Sequence, residues 1–369
     1  MTSAQDELRQ AVRDFLAVTS PSATVRALMD SDTGYDEDAW HRMASELGLP
    51  GIAVPERFGG AGAGTAELAV VFEEMGAALL CAPFFATVAL AIPAILTSAD
   101  DEAIAEFIPA LADGTTTATL ILNGRLGGWD SSAVALTAHG DDHRGYTVHG
   151  DAPMVLDGHT ADILLVAAVC DAGPSLFAVA GGAPGLSRRR LAGLDRTRQI
   201  AQLEFDGTPA RLIGCAGGAA PGLSLTSDIA TVLLAAEQLG GAARCLDSAV
   251  GYAKDRIQFG RPIGSFQAVK HRCADMLVLV EGARSAVGHA AAVTDPKELA
   301  VAASVAKLVA SEAFTHVALD NMRIHGGLGF TWEHDAHLYV RRAKASSLMF
   351  GEPDLHALRL GELVATTPA

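Results

Sequence analysis

The sequence predicts an α+β protein whose chain runs helical, then β, then helical. Three observations predict it. Apolar residues at helix spacing occupy residues 1 to about 114, short alternating or uniformly apolar runs cut by Gly, Asp and Pro fill about 115–215, and long amphipathic stretches return over about 216–369. A chain of 369 residues has room for two or three packed units. With 50% hydrophobic and 19% charged residues it is a well-buried globular protein, and its many Ala and Leu with 5% aromatic content favour helices.

In the N-terminal helical domain, Ala11, Phe15 and Leu16 fall at helix spacing, and Thr65 to Leu80 reads as an amphipathic helix. The turn before it, Gly59-Gly60-Ala61-Gly62, lacks G-x-G-x-x-G spacing and a preceding strand, so it is a loop and not a nucleotide fingerprint. Thr117–Leu122, Ala161–Val169 and Gln202–Phe205 read as strands of a central small β-barrel or sandwich.

The C-terminal part predicts a four-helix bundle. Ile229, Leu233, Ala236, Leu239, Leu246, Val250 and Ile257 mark one helix over about 224–257, and a second runs over about 265–293. The third starts at Asp295 as N-cap, with Pro296 at its first position and Glu298 in the capping-box place, and stops at Gly326-Gly327. A fourth covers about 334–366.

A net charge of -16 argues against nucleic-acid binding, which needs clustered Lys and Arg. The five cysteines, Cys81, Cys170, Cys215, Cys245 and Cys273, form no C-x-x-C pair, which argues against a metal site and for a reducing compartment. The N-terminus lacks a signal-peptide apolar stretch, and the longest apolar run, Phe84 to Leu96, is short for a membrane span and contains Pro93. The expectation is a cytoplasmic protein without a membrane span.

Two segments hold the candidate chemistry. The first, Arg256 to Gln267, reads RIQFGRPIGSFQ and places two arginines and a glycine-bearing loop between the last turn of one helix and the start of the next. Such a place suits an anion, because arginine forks onto phosphate and a helix N-terminus carries positive dipole; on spacing alone an ordinary basic helix end is the favoured reading. The second, Arg323 to Phe330, reads RIHGGLGF. A helix stop explains two of its glycines, and the third allows either close approach of a ligand or a crowded backbone contact. His325 alone reads as a hydrogen-bonded structural histidine.

Together the two segments resemble the acyl-CoA dehydrogenase family, whose bundle carries R-x-x-F-G-x-x-[IL]-x-x-x-Q and then Q-x-x-G-G-x-G-[FY]-x-x-E; here the second motif ends at Glu333. The helical–β–helical order and Gly51 to Gly60 also fit. The resemblance implies an FAD enzyme that converts an acyl-CoA thioester to the 2,3-enoyl product and passes electrons to an electron-transfer flavoprotein. It implies that Arg256, Phe259 and Gln267 hold the pyrophosphate and adenine end of FAD, and that Arg323, Ile324, His325, Gly326 and Gly327 cover that end, typically for a neighbouring subunit.

The chain departs from the family pattern elsewhere. The loop against the flavin ring corresponds to Leu122–Asp130, without the family's Glu-Pro, and an aromatic residue near the flavin becomes Val155. Arg323 replaces the Gln before the Gly-Gly turn. The two places where the family keeps its catalytic glutamate hold Phe350 and about Ala230. Without a carboxylate the weakly acidic α-proton has no acceptor. Glu352 and Glu237 are the nearby candidates, and Glu237 is read as paired inside the bundle or facing a cavity. Three readings stand: a subunit of a heteromeric dehydrogenase whose second acyl-CoA dehydrogenase-like subunit carries the base, as in relatives acting on steroid side-chain CoA esters; a self-sufficient homo-oligomer with a relocated base; and a non-catalytic scaffold or acyl-CoA-binding subunit.

Overall fold

The computed structural model describes residues 3–122, 134–141 and 145–366. Helices α1 (Ser3–Thr19), α2 (Ser22–Asp30), α3 (Glu37–Leu47), α4 (Thr65–Ala78), α5 (Ile92–Leu96) and α6 (Asp101–Ala112) come first. A π-helical stretch, Phe85–Ala91, leads into α5. Asp36 and Asp100 cap α3 and α6 by accepting from Ala39 N and Ala103 N, the local reason these helices start where they do.

Among the described residues seven strands follow: β1 (Ala118–Ile121), β2 (Thr137–Asp141), β3 (Gly145–Leu156), β4 (Ile163–Cys170), β5 (Gly173–Ala180), β6 (Leu186–Leu191) and β7 (Ile200–Ile213). The pairings β4–β2, β2–β3, β3–β7, β7–β5 and β5–β4 close into a ring, with β1 added beside β4 and β6 beside β7. Of the two expected arrangements, barrel and sandwich, the closed circuit is a barrel. Its interior is filled by Leu136, Val148, Leu164, Val166, Phe177 and Leu203, all under 2% exposed. Alternation along the strands puts Val148, Leu164, Val166, Phe177 and Leu203 on one face, and Leu136 joins them from just before β2.

The C-terminal helices are α7 (Ala220–Asp255), α8 (Gln267–Ala292), α9 (Pro296–His325), α10 (Ala336–Leu348) and α11 (Pro353–Thr366). Asp295 caps α9 by accepting from Lys297 N and Glu298 N. The expected single fourth helix over about 334–366 is corrected to two helices. Phe350 (φ 57°) and Gly351 (φ 103°) take left-handed backbone, and Pro353 then opens α11 without an N–H to lose. A helix cannot run through that turn.

The chain forms two compact units, one of residues 1–25, 69–80 and 231–369, the other of 26–68 and 81–230. The first is the bundle with α1 and most of α4 added. Gly76 and Gly240 let α4 and α7 touch backbone to backbone: a Cβ on Gly76 would lie 1.9 Å from the Glu237 carbonyl oxygen, and one on Gly240 1.7 Å from that of Glu73. Around this crossing, Arg9 of α1 donates to Glu73 and Glu74, Arg13 to Glu74, and Arg284 of α8 to Glu73. The second unit contains the barrel and the helices α3, α5 and α6.

α7 is long and apolar enough to cross a membrane, but 83% of its apolar window is buried within the fold. All five cysteines are free thiols.

Candidate functional site

The predicted cofactor residues gather at one end of the bundle. α7 stops at Asp255, so Arg256 is the first residue beyond the helix and not in its last turn. The chain then makes a tight hairpin, β8 (Ile257–Gln258) against β9 (Arg261–Pro262). Phe259 (φ 53°) and Gly260 (φ 76°) form its two-residue turn, both left-handed as a type I′ turn requires. Gly suits that geometry, whereas an aromatic residue there is strained. Phe259 is nevertheless 91% exposed, and an edge-on contact with the Phe266 ring, centroids 6.0 Å apart, leaves most of its surface uncovered.

The hairpin leads into α8, whose N-cap, Phe266, supplies no side-chain cap. The amino end of α8 is thus available to an anion. Arg261 sits over the Phe266 ring at 4.2 Å, and Gln267 is exposed with its amide 3.3 Å from His271 Nε2.

The second segment packs on the helices that flank the first. His325, the last residue of α9, stacks on Tyr252 of α7 with ring centroids 4.3 Å apart, and His334 packs on it at 4.2 Å. His325 is buried, and its Nδ1 donates to the Asn321 carbonyl at 2.9 Å. It is a packed ring at the floor of the site. Asp320 receives Arg323 of its own helix at 2.9 Å and Arg272 of α8 at 3.2 Å, tying α8 and α9 together. Arg323 remains 58% exposed in its side chain. Gly326 (φ 62°, ψ -137°) holds a backbone that only glycine adopts readily. Gly327 has open space where a Cβ would stand, so nothing inside the chain demands a glycine there. Ile324 is half-buried beside them.

The base candidates sit elsewhere. Glu237 is buried, its Oε1 2.5 Å from the buried Arg342 guanidinium. To accept a substrate proton it would have to leave that arginine. Glu352 is exposed, and its carbonyl accepts from Leu355 N and His356 N as α11 begins. Phe350 is buried in the turn before it, and Ala230 is fully buried in α7. Val155 is buried in β3. Of the flavin-loop counterpart, Leu122 is buried, while Asn123 to Asp130 lie outside the described residues. Among the described residues no group of His, Cys, Asp or Glu is arranged to hold a metal.

Sequence reasoning missed Tyr252, Arg272 and Asp320. Tyr252 carries a signal, an aromatic residue one helical turn before Arg256; Arg272 and Asp320 carry none, because their pairing joins different helices.

Exposed arginines, an uncapped helix start and a glycine turn at one end of the bundle form an arrangement that can receive a phosphate-bearing ligand. The acyl-CoA dehydrogenase N-terminal domain model matches residues 2–115 and the acyl-CoA dehydrogenase C-terminal domain model residues 228–364. Acyl-CoA dehydrogenase IpdE2 of Mycobacterium tuberculosis (strain ATCC 25618 / H37Rv) is 36% identical over 98% of this chain and 97% of its own. Among solved structures, a variant of the Tcur3481–Tcur3483 steroid acyl-CoA dehydrogenase is similar with TM-score 0.85 and 34% identity, covering 98% of each chain. The ChsE4–ChsE5 complex from Mycobacterium tuberculosis has TM-score 0.90 and 30% identity, over 100% of this chain and 99% of that one. This chain therefore belongs to the acyl-CoA dehydrogenase family, oxidoreductases acting on CH–CH bonds.

Proposed function

We propose that this chain is one subunit of a heteromeric, FAD-dependent acyl-CoA dehydrogenase that forms 2,3-enoyl-CoA, and that it lends the pyrophosphate and adenine half of the FAD site to a partner subunit carrying the base. One contrast carries the reading. The bundle end keeps its exposed donors, Arg256, Gln267 and Arg323, whereas the base positions hold Phe350 and Ala230.

The residues present fit the phosphate end of FAD. Arg256 and Arg323 would fork onto phosphate oxygens, in hydrogen bonds strengthened by charge on both partners. Gln267 would hydrogen-bond at the adenine end, and Phe259 would cover it with apolar surface. Gly326 and Gly327 leave the backbone bare for close approach, with Ile324 and His325 packed behind. Bound FAD supplies the acceptor for the β-hydride. Removal of the α-proton falls to a carboxylate of the partner, because Glu237 is committed to Arg342 and Glu352 lies exposed at the start of a helix.

The similar solved structures include a steroid acyl-CoA dehydrogenase and a two-component complex. They support an acyl-CoA thioester with a bulky steroid-derived acyl group as substrate, and a second acyl-CoA dehydrogenase-like chain as partner. Reoxidation by an electron-transfer flavoprotein follows the family. Arg256→Ala and Gln267→Ala, made in this chain alone, test the half-site: FAD bound by the co-expressed complex falls. Unchanged FAD content in both would remove the half-site from this chain.

A further inference from the structure

Three aromatic rings from three parts of the bundle meet behind the glycine turn. The buried His325 ring, at the end of α9, touches Tyr252 of α7 at 4.3 Å and His334, two residues before α10, at 4.2 Å. Tyr252 also holds Arg256, because its carbonyl accepts from Arg256 N at 2.9 Å. His334 starts α10, its Nδ1 accepting from Ala336 N at 3.1 Å. The stack thus joins the chain segment of Arg256 to both ends of the turn.

The turn itself folds back on the same ring. A Cβ on Gly329 would lie 2.5 Å from the Met322 carbonyl oxygen and 3.1 Å from His325 Cβ, so this third glycine serves a crowded backbone contact. Gly326 and Gly327 differ, since a Cβ on either would meet nothing within 4 Å. They face open space, Gly326 in a strained backbone conformation (φ 62°, ψ -137°). The open part of the turn is therefore held from behind, by the residues that flank it.

We propose that Tyr252 and His334 are positioning residues of the FAD half-site: through the His325 ring they fix the Gly326–Gly327 backbone relative to Arg256, so that turn and arginine are preset for one diphosphate. The inference rests on the half-site reading above. Neither residue has to touch FAD. A turn that is not held spends part of its time elsewhere, and the apparent Kd rises by the inverse of the fraction correctly placed. The contact of Tyr252 with His325 is made by the ring, so phenylalanine at 252 keeps it and leucine does not.

Titration of the apo-complex of this chain and its co-expressed partner with FAD, read by quenching of flavin fluorescence, measures the effect. Tyr252→Leu is expected to raise the Kd by about three- to tenfold, the worth of one aromatic contact, and Tyr252→Phe to restore the wild-type value. His334→Asn, which keeps an acceptor for Ala336 N but removes the ring, is expected to weaken FAD by a similar factor. In the flavin-free chain, hydrogen exchange over Gly326–Phe330 should quicken in both ring-deleting variants while α4 stays as in wild type. A Kd within about twofold of wild type in the ring-deleting variants that fold, less than one aromatic contact is worth, overturns the proposal. So does a Tyr252→Phe variant as weak as Tyr252→Leu, and so does equal quickening in α4, which marks a general loosening of the bundle. Arg256→Ala separates the two claims. Weaker FAD there, with an unchanged Kd in the ring variants, removes the positioning role alone; an unchanged Kd in Arg256→Ala as well removes the half-site from this chain and the positioning role with it.

Discussion

The Glu237 carboxylate lies 2.5 Å from the Arg342 guanidinium, with both side chains more than nine-tenths buried between α7 and α10. Two charges held this way are paired at the expense of their hydration, so removing either leaves the other stranded. Glu237→Gln is expected to destabilise the chain by roughly 3–5 kcal/mol, and Glu237→Met with Arg342→Met to recover most of that loss. Chemical denaturation midpoints measure both. Unchanged stability with abolished enoyl-CoA formation would mark Glu237 as the base.

The α4–α7 crossing depends on missing side chains. Gly76→Ala puts a methyl into the Glu237 carbonyl, and the helices must separate, at a cost of about 1–3 kcal/mol or more. Gly282 of α8 has open space at its Cβ position, so Gly282→Ala should stabilise by about 0.5–1 kcal/mol. Thermal melts of the two variants should move in opposite directions.

Phe259 separates folding from function. Its left-handed backbone costs about 1–2 kcal/mol, which Phe259→Gly relieves. The variant should therefore melt slightly higher as an isolated chain, yet bind FAD more weakly in the complex. Titration of the apo-complex with FAD checks the second half. Undiminished affinity removes Phe259 from the cofactor site.

Glu352→Gln is expected to be silent. The residue is exposed and offers its backbone carbonyl, not its carboxylate, to α11. A loss of enoyl-CoA formation of about 100-fold or more, the scale of a lost general base, would instead support a relocated base.

Much of this was legible in the sequence. Helix-period runs and the Asp295-Pro296 start located the bundle, and the RIQFGRPIGSFQ and RIHGGLGF segments marked the bundle end proposed to hold the cofactor. The break at Phe350–Gly351 was visible only as Gly351 and Pro353, and the apolar periodicity on either side hid it. The hairpin was obscured because Phe at a left-handed turn position contradicts its own propensity. Glu237 could be read two ways until Arg342, 105 residues away, was seen to close on it. Pairings between distant helices, like that of Arg272 with Asp320, leave no local pattern.

The visible absorption spectrum of the purified chain, alone and co-expressed with a second acyl-CoA dehydrogenase-like subunit, tests the central claim most directly. The half-site account predicts a colourless chain alone and a yellow, FAD-containing complex that bleaches on adding an acyl-CoA. A stoichiometric yellow FAD complex of the single chain, bleached by the same substrate, would contradict it.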